Sequence, residues 1–404
     1  MHDAAGALPA GRKSQLAPLG WRRSGGLRRG FAGAVIWLLI FSAAAAYHLL
    51  AWLGALAFLG RRQKTPTSLP AVSVLKPVHG LDPHFCEALR SHALQDYPAF
   101  EVLFGLGHPA DPARPDIERF ISEFTRIPMR LIISPRRAPN GKVAVLAALA
   151  AEARHPVLVV NDSDIAVPPD YLRRIVGPLE DPAVGMVTCL YRGQGQGWAA
   201  RFEALGIATD FACGVLVARL LGVSEFAMGS TMVFRAADLA RIGGFESVAE
   251  YLADDYQLGS RIRRLGLKVV LAPVVVTTYL PEHRWRETWR HQVRWARTIR
   301  VCRPGGYLGM PLTMATLWAL LLAGCGHFRA AAALLALRLL AGLTTAFCVL
   351  RARLKLADVL LVPLRDLWGV AVWAAGLWGH CVIWRDQRLR ITGDGRIVAD
   401  ESAR

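Results

Sequence analysis

Hydrophobic residues are spaced unevenly along the chain, and the spacing divides it into three zones. The run 31–59 contains no Lys, Arg, Asp or Glu and is flanked by Arg28 and Arg29 on one side and Arg61 and Arg62 on the other. It exceeds the ~20 residues a bilayer crossing needs and is far longer than the ~7–15-residue apolar core of a cleaved signal peptide. It therefore predicts a transmembrane helix. Late in the chain, 306–326, 330–350 (interrupted by Arg338) and 359–384 (interrupted by Arg365 and Asp366) predict about three more spans.

Between these zones the period changes. Short β-branched runs at 72–77, 100–106, 129–135, 157–164, 185–191, 231–235 and 268–276 read as strands. The segments 141–154 and 170–180 carry apolar residues three and four apart, as helices covering a sheet do. The alternation predicts an α/β domain built on a mostly parallel sheet. The expected organisation is a basic N-terminal segment (1–30), a span (31–59), the α/β domain (61–282), an amphipathic interfacial helix (283–304), about three spans (306–384) and a polar tail (385–404).

Composition supports a membrane protein: of 404 residues, 53% are hydrophobic and only 20% charged, which excludes a disordered chain. The net charge of +17 comes from sparse arginine, suited to anionic headgroups and helix orientation. No RNP, homeodomain or finger pattern accompanies it, so nucleic acid is not an expected partner. Seven scattered cysteines without a CxxC pair suggest neither a disulfide scaffold nor a structural zinc site. Arg61, Arg62 and Lys64 after the first span, with Arg351, Arg353 and Lys355 in a late loop, place the α/β domain on the cytoplasmic side. Arg12, Lys13, Arg22, Arg23, Arg28 and Arg29 argue for the same side for the N-terminus, and the two counts disagree across a single span.

Ligands of such sheets bind beyond the carboxyl ends of the strands, and the polar residues there are candidates. The apolar run 157–160 ends in Asn161-Asp162-Ser163-Asp164. With a period of two, Asp162 and Asp164 project the same way, able to share a divalent ion that bridges two phosphates or, alternatively, forming a capping turn. Asp111, before Pro112, is a turn acid or a substrate contact. Lys142 at a helix start is electrostatically misplaced unless an anion shares the site, and Lys76 ends the first strand. Asp255 opens a helix whose Leu258 and Ile262 face inward, whereas Asp254 is expected to point elsewhere and matter less. The segment 283–300 puts Trp285 and Trp289 on one side and His291, Arg294 and Trp295 on another. It reads either as a headgroup-level anchor or as a helix whose Arg294 neutralises a leaving diphosphate while Trp295 floors the acceptor site.

Taken in order, VSVLKPVHGLDP (72–83), DYPAFEVL (96–103), Asp111-Pro112, NDSD (161–164), LADDY (252–256), HQVRW (291–295) and WRDQRLR (384–390) resemble membrane-bound family 2-type glycosyltransferases and, among them, the ceramide glucosyltransferase family. The resemblance implies a GT-A type domain, with Asp111 near the uracil, Asp162 at the nucleotide, Asp255 as general base, and Arg294-Trp295 at the diphosphate and acceptor. Lys76, Lys142 and His291 join the expected substrate contacts, and Asp162 with Asp164 the expected ligands of Mg²⁺ or Mn²⁺. His291 departs from the family's usual glutamine or arginine. With MGSTMVFR (228–235) and VTCLYRG (187–193), that departure is most similar to a bacterial hopanoid-associated branch. It implies an inner-membrane enzyme moving N-acetylglucosamine from a UDP donor to bacteriohopanetetrol, with ceramide glucosylation the near alternative. A processive polysaccharide synthase would need more spans for a channel, and a scaffold that only binds nucleotide sugar would not need Asp255.

Overall fold

The computed structural model describes residues 25–61, 66–282, 284–384 and 387–399. Most of the basic segment 1–30, Arg62 and Lys64 of the orienting loop, and Arg385 and Asp386 of the tail motif lie outside them. All seven runs read as strands form strands: β1 (Val72–Val78), β2 (Phe100–Leu106), β3 (Met129–Ile133), β4 (Val157–Val160), β6 (Val184–Gly195), β7 (Met232–Arg235) and β8 (Lys268–Leu280). A two-residue strand, β5 (Ile165–Ala166), completes an eight-stranded sheet ordered β3-β2-β1-β4-β7-β6-β8-β5. Four of its pairings are parallel; β7 runs antiparallel to both β4 and β6, and β5 to β8. Alternation along each strand feeds two cores. Val72 and Val74 face Phe85, Ile117 and Tyr171 on one side, while Leu75, Leu103 and Leu158 face Val143, Leu146 and Leu258 on the other.

The first helix, Gly25–Leu59, contains the expected span, apolar enough to cross a membrane over Trp37–Leu59, and Phe328–Val349 forms another such helix. Of the other two late runs, the first is a bent helix pair that is together apolar enough to cross a membrane, and the second is corrected. The segment 306–326 becomes two helices, Pro304–Thr313 and Ala315–Gly324, bent by 54° where Met314 leaves helical geometry after Pro311. The segment 359–384 is helical only over Val362–Leu377, 16 residues, because Trp378 is extended and Gly379 takes φ +81°. The chain then enters β9 (Cys381–Trp384), which with β10 (Gln387–Ile391) and β11 (Ile397–Ala399) makes a small antiparallel sheet out of the expected polar tail. That sheet is tied beneath residues 250–252 by the amide of Ile397 donating to the Glu250 carbonyl at 2.7 Å and by apolar contact with Leu252.

The apolar stretch 198–221 is a helical run broken by a π-turn at Ile207–Phe211, and it is buried against the first span. Leu216 approaches Gly54 so closely that a Cβ there would stand 3.1 Å from the Leu216 carbonyl oxygen. The charges that interrupt the late spans find each other in this region. Arg338, 2% exposed, donates to Oδ1 of buried Asp366 from Nη2 (2.8 Å) and Nε (3.1 Å), to its Oδ2 from Nε (3.3 Å), and to Asp210 on the π-turn. Asp366 also accepts from the Thr316 hydroxyl at 2.8 Å, and Arg365 bridges Asp210 (3.1 Å) to Gln292 (2.8 Å). A charge this deep persists because it is paired, and removing one partner leaves the others uncompensated. Arg338→Met is therefore expected to lower stability by about 3–5 kcal/mol, read as a drop in the unfolding midpoint in detergent, and Arg338→Met combined with Asp366→Leu is expected to recover most of that loss.

Candidate active site

Five candidate residues, Lys76, Lys142, Asp162, Asp164 and Asp255, converge where β1 and β4 end. Asn161, fully buried, locks the end of β4: its amide donates to the Tyr171 hydroxyl (2.8 Å) and the Ser230 carbonyl (2.7 Å), and its carbonyl faces His92 Nε2 at 3.2 Å. The next residue, Asp162, is held at both ends. Its carbonyl accepts from buried Lys76 Nζ at 3.0 Å, and its carboxylate meets Lys142 Nζ at 2.6 Å. Lys142 sits in the first turn of helix Gly141–Glu152, where Asn140 caps the Val143 amide, and it also stands 3.6 Å from Asp254. Asp164 accepts from the Thr278 hydroxyl on β8, and Ser163 donates to Asp82.

Asp255 is fixed by backbone. Its two oxygens accept from the amides of Gly229 (2.9 Å) and Tyr256 (2.7 Å). The approach of its helix, Asp254–Arg264, to residues 226–229 depends on Gly259, where a Cβ would come within 2.9 Å of the Ala227 amide nitrogen. Asp254 corrects the expectation: it is 7% exposed, faces Lys142, and its Oδ2 has no hydrogen-bond partner among the described residues, so it belongs to the cluster. An exchange to Asn at 254 is accordingly no neutral control for 255.

Crowding of like charge sets the electrostatics. Burial, then Asp162, push Asp164 up to about 7, against the hydrogen bond from Thr278. Burial, then Asp254, push Asp255 up to about 6, against Lys142 and the two amides. Burial also raises Asp254. Burial pulls Lys76 down to about 7 despite Asp164 and Asp162. Lys142 goes the other way, because the attraction of Asp162, Asp254 and Asp255 outweighs its burial. Five carboxylates (Asp82, Asp162, Asp164, Asp254, Asp255) thus stand against two ammonium groups. Among the described residues no three His, Cys, Asp or Glu side chains are grouped to hold a metal by themselves. Two strand-end carboxylates still suit a hard cation that completes its shell with phosphate oxygens, the common arrangement for Mg²⁺.

Asp111 lies apart from the cluster, joining the loops that leave β1 and β2. Its carboxylate accepts from the amides of Gly80 (3.1 Å) and Ala113 (2.9 Å), the turn geometry that was one of its two readings. The helix Trp285–Cys302 lies near the site, with Cys302 at its end close enough to feel the charge of Asp255. Trp285 and Trp289 pack on Trp368 of helix Val362–Leu377 (5.8 and 5.2 Å between rings), while Trp285 stays 47% exposed. On the other face His291 Nδ1 meets buried Glu203 at 2.8 Å, and its ring lies tilted against Trp295 with centroids 4.5 Å apart. Trp295 neighbours Phe211, which neighbours Tyr191 on β6. The proton affinity of the Tyr191 hydroxyl is raised by burial, then by Asp255 and Glu203. An aromatic wall therefore connects HQVRW to the acid cluster. Arg294 is half-buried on this helix, one turn before Thr298, whose hydroxyl donates to its carbonyl at 2.9 Å.

Tyr191, Glu203, Asp82 and the Gly229 amide were not singled out from sequence. Only the adjacency of Tyr191 to Arg192 in an otherwise apolar strand offered a signal. The raised Asp164 has a consequence for stability. A carboxyl whose folded pKa of about 7 exceeds its ordinary 3.8 binds protons more tightly folded than unfolded, so its contribution is full at low pH and is lost as pH rises through 7. Asp164→Asn should thus gain stability relative to the wild-type chain between pH 4 and pH 8 in EDTA, measured as the difference of unfolding midpoints; a constant difference would contradict the burial of that charge.

Ceramide glucosyltransferase 1 of Caenorhabditis elegans is 28% identical over 228 residues, covering 56% of this chain and 49% of the relative. The probable glycosyltransferase YdaM of Bacillus subtilis (strain 168) is 26% identical over 240 residues, covering 57% and 55%. The matched region thus spans about half the length of these curated relatives. Among solved structures, mannosyltransferase PcManGT from Pyrobaculum calidifontis, in complex with GDP-Man and Mn²⁺, superposes with a TM-score of 0.53 at 21% identity, covering 85% of this chain and 98% of that one. That likeness bears out the GT-A type fold. The model of glycosyl transferase family 21 matches residues 35–397, nearly the whole chain, and the chain belongs to that family.

Proposed function

We propose that the chain is an inverting, non-processive glycosyltransferase that moves a sugar from UDP-N-acetylglucosamine or UDP-glucose to the hydroxyl of a membrane lipid. The observation that carries this reading is Asp255: a carboxylate aimed by two backbone amides, with a pKa of about 6, placed between the acid cluster and an aromatic wall. A general base works best with a pKa near the operating pH. Asp255 takes the proton of the acceptor hydroxyl as its oxygen attacks the anomeric carbon. The bond from that carbon to the UDP oxygen breaks on the opposite face, which inverts configuration without a covalent intermediate. Arg294 meets the charge of the departing UDP, and Trp295 with His291 floors the acceptor site. Lys142 faces the donor phosphates and Asp111 the base, while Lys76, expected as a substrate contact, is fully buried and instead holds the Asp162 carbonyl. A divalent ion, Mg²⁺ or Mn²⁺, held by Asp162 and Asp164, would supply the positive charge that this acidic crevice lacks for binding a diphosphate.

The acceptor we favour is a hopanoid such as bacteriohopanetetrol, reached from the cytoplasmic leaflet of a bacterial inner membrane; the motif resemblance supports it. Ceramide is the second reading, supported by the names of several relatives. Mass spectrometry of the lipid formed from labelled UDP-sugar separates the two.

Asp255→Asn keeps the size of the side chain and removes its basicity. It should cut kcat by about 10²–10⁴-fold while donor affinity stays within a few-fold. Near-wild-type turnover in this variant, or an α-linked product from an α-linked donor, would overturn the assignment. Excess EDTA should abolish turnover, and full activity in its presence would remove the metal from the account.

A further inference from the structure

A second charged site lies away from the acid cluster, on the other side of β6. Tyr191 and Arg192 are adjacent on that strand and project to opposite faces. Likewise, on helix Gly197–Gly206, Glu203 turns to His291 while Arg201 turns to Asp358. Arg192, Arg201 and Arg353 line an open surface pocket together with Gly193, Leu354 and Asp358. Its charges are not balanced. Buried Asp358 is fully engaged, accepting from Arg201 at 2.5 Å and from the Lys355 amide at 2.8 Å. Among the described residues no carboxylate pairs with Arg192 or Arg353. Arg192 is held in place by neutral acceptors instead, the Thr277 hydroxyl at 3.0 Å and the Leu350 carbonyl at 3.2 Å. Arg351, just before the pocket, is exposed and adopts φ +50°, a conformation non-glycine residues seldom take. Burial, then the charges of Arg353 and Arg351, lower the proton affinity of Arg192.

The position of the pocket indicates what fills it. The loop carrying Arg351 and Arg353 follows the membrane-length helix Phe328–Val349 directly. On the far side of the loop Leu356, Leu360 and Leu364 are 77, 72 and 54% exposed, and Trp198, over which Arg201 stacks at 4.8 Å, is 56% exposed. A pocket with unmatched guanidiniums beside outward-facing leucines has the two chemistries of a phospholipid, a phosphate and an acyl chain, side by side. We propose that the pocket formed by Arg192, Arg201 and Arg353 binds the phosphate of one anionic membrane lipid, whose acyl chains lie along Leu356, Leu360 and Leu364.

Native mass spectrometry of the full-length chain in neutral detergent, titrated with phosphatidylglycerol or phosphatidylcholine, tests this. The wild-type chain should retain one phosphatidylglycerol and should not retain phosphatidylcholine. One near-surface arginine is worth about fivefold toward an anionic lipid, so Arg353→Gln should weaken retention about fivefold and Arg192→Gln with Arg353→Gln about 25-fold. Arg353 is exposed and unpaired among the described residues, so its single exchange carries little folding risk, and Arg126→Gln, an equal loss of charge on an exposed turn, should change nothing. Undiminished retention in both pocket variants, an equal loss in Arg126→Gln, or equal retention of phosphatidylcholine would each overturn the proposal. Displacement of phosphatidylglycerol by millimolar inorganic phosphate would assign the pocket to a free anion and overturn the lipid.

Discussion

One lysine holds the candidate site together. Lys142 faces Asp162 at 2.6 Å and Asp254 at 3.6 Å, and its charge also eases Asp255. These acids come from two separate elements, the end of β4 and the start of helix Asp254–Arg264. Without a shared cation their repulsion in a poorly solvated crevice would favour protonation or separation of the carboxylates. The lysine itself stands at a helix N-terminus, a position unfavourable to a cation unless anions surround it. The fold supplies those anions, and each side of the cluster stabilises the charge state of the other.

The scaffold serves this arrangement at several levels. Asn161 stops β4 at a fixed residue, so Asp162 and Asp164 follow at set positions. Gly259 lets the Asp255 helix close on the Gly229 amide. The small C-terminal sheet buttresses residues 250–252 just ahead of the two aspartates. In the apolar region, Gln292, beside His291, is tied through Arg365 and Asp210 to Arg338, linking the helix that carries HQVRW to the membrane-length helices. The site is thus a junction between the eight-stranded sheet and the apolar helices.

Much of this was legible in sequence because its signals are local. Each of the seven β-branched runs is bounded by Pro, Gly or charge and contains a strand; the period of two read for Asp162 and Asp164 does not carry over, because β4 ends at Val160 and the two acids lie in the turn that follows. The illegible parts depend on distant partners. Strand β5 is two residues long and exists because Thr277 and Thr278 of β8 lie opposite it. The run 381–384 continues the hydrophobicity of 362–377, and only the turn at Gly379 separates helix from strand. Asp254 was set aside on helical geometry, yet Lys142, 112 positions earlier, brings it into the cluster. Trp285 and Trp289 carried a headgroup-layer signal, but both also pack on Trp368.

The central claim is that Lys142 tunes a buried Asp255 into the range of a base that works near neutrality. Carbon-13 NMR titration of labelled aspartate carboxyls in detergent, with the signal of Asp255 identified by its loss in Asp255→Asn, measures this without requiring turnover. The account predicts a wild-type midpoint at about 6 and a higher one in Lys142→Gln, since the lysine's charge favours the ionised form. A wild-type midpoint at the ordinary value of 3.8, or one that does not move when Lys142 is replaced, would contradict it.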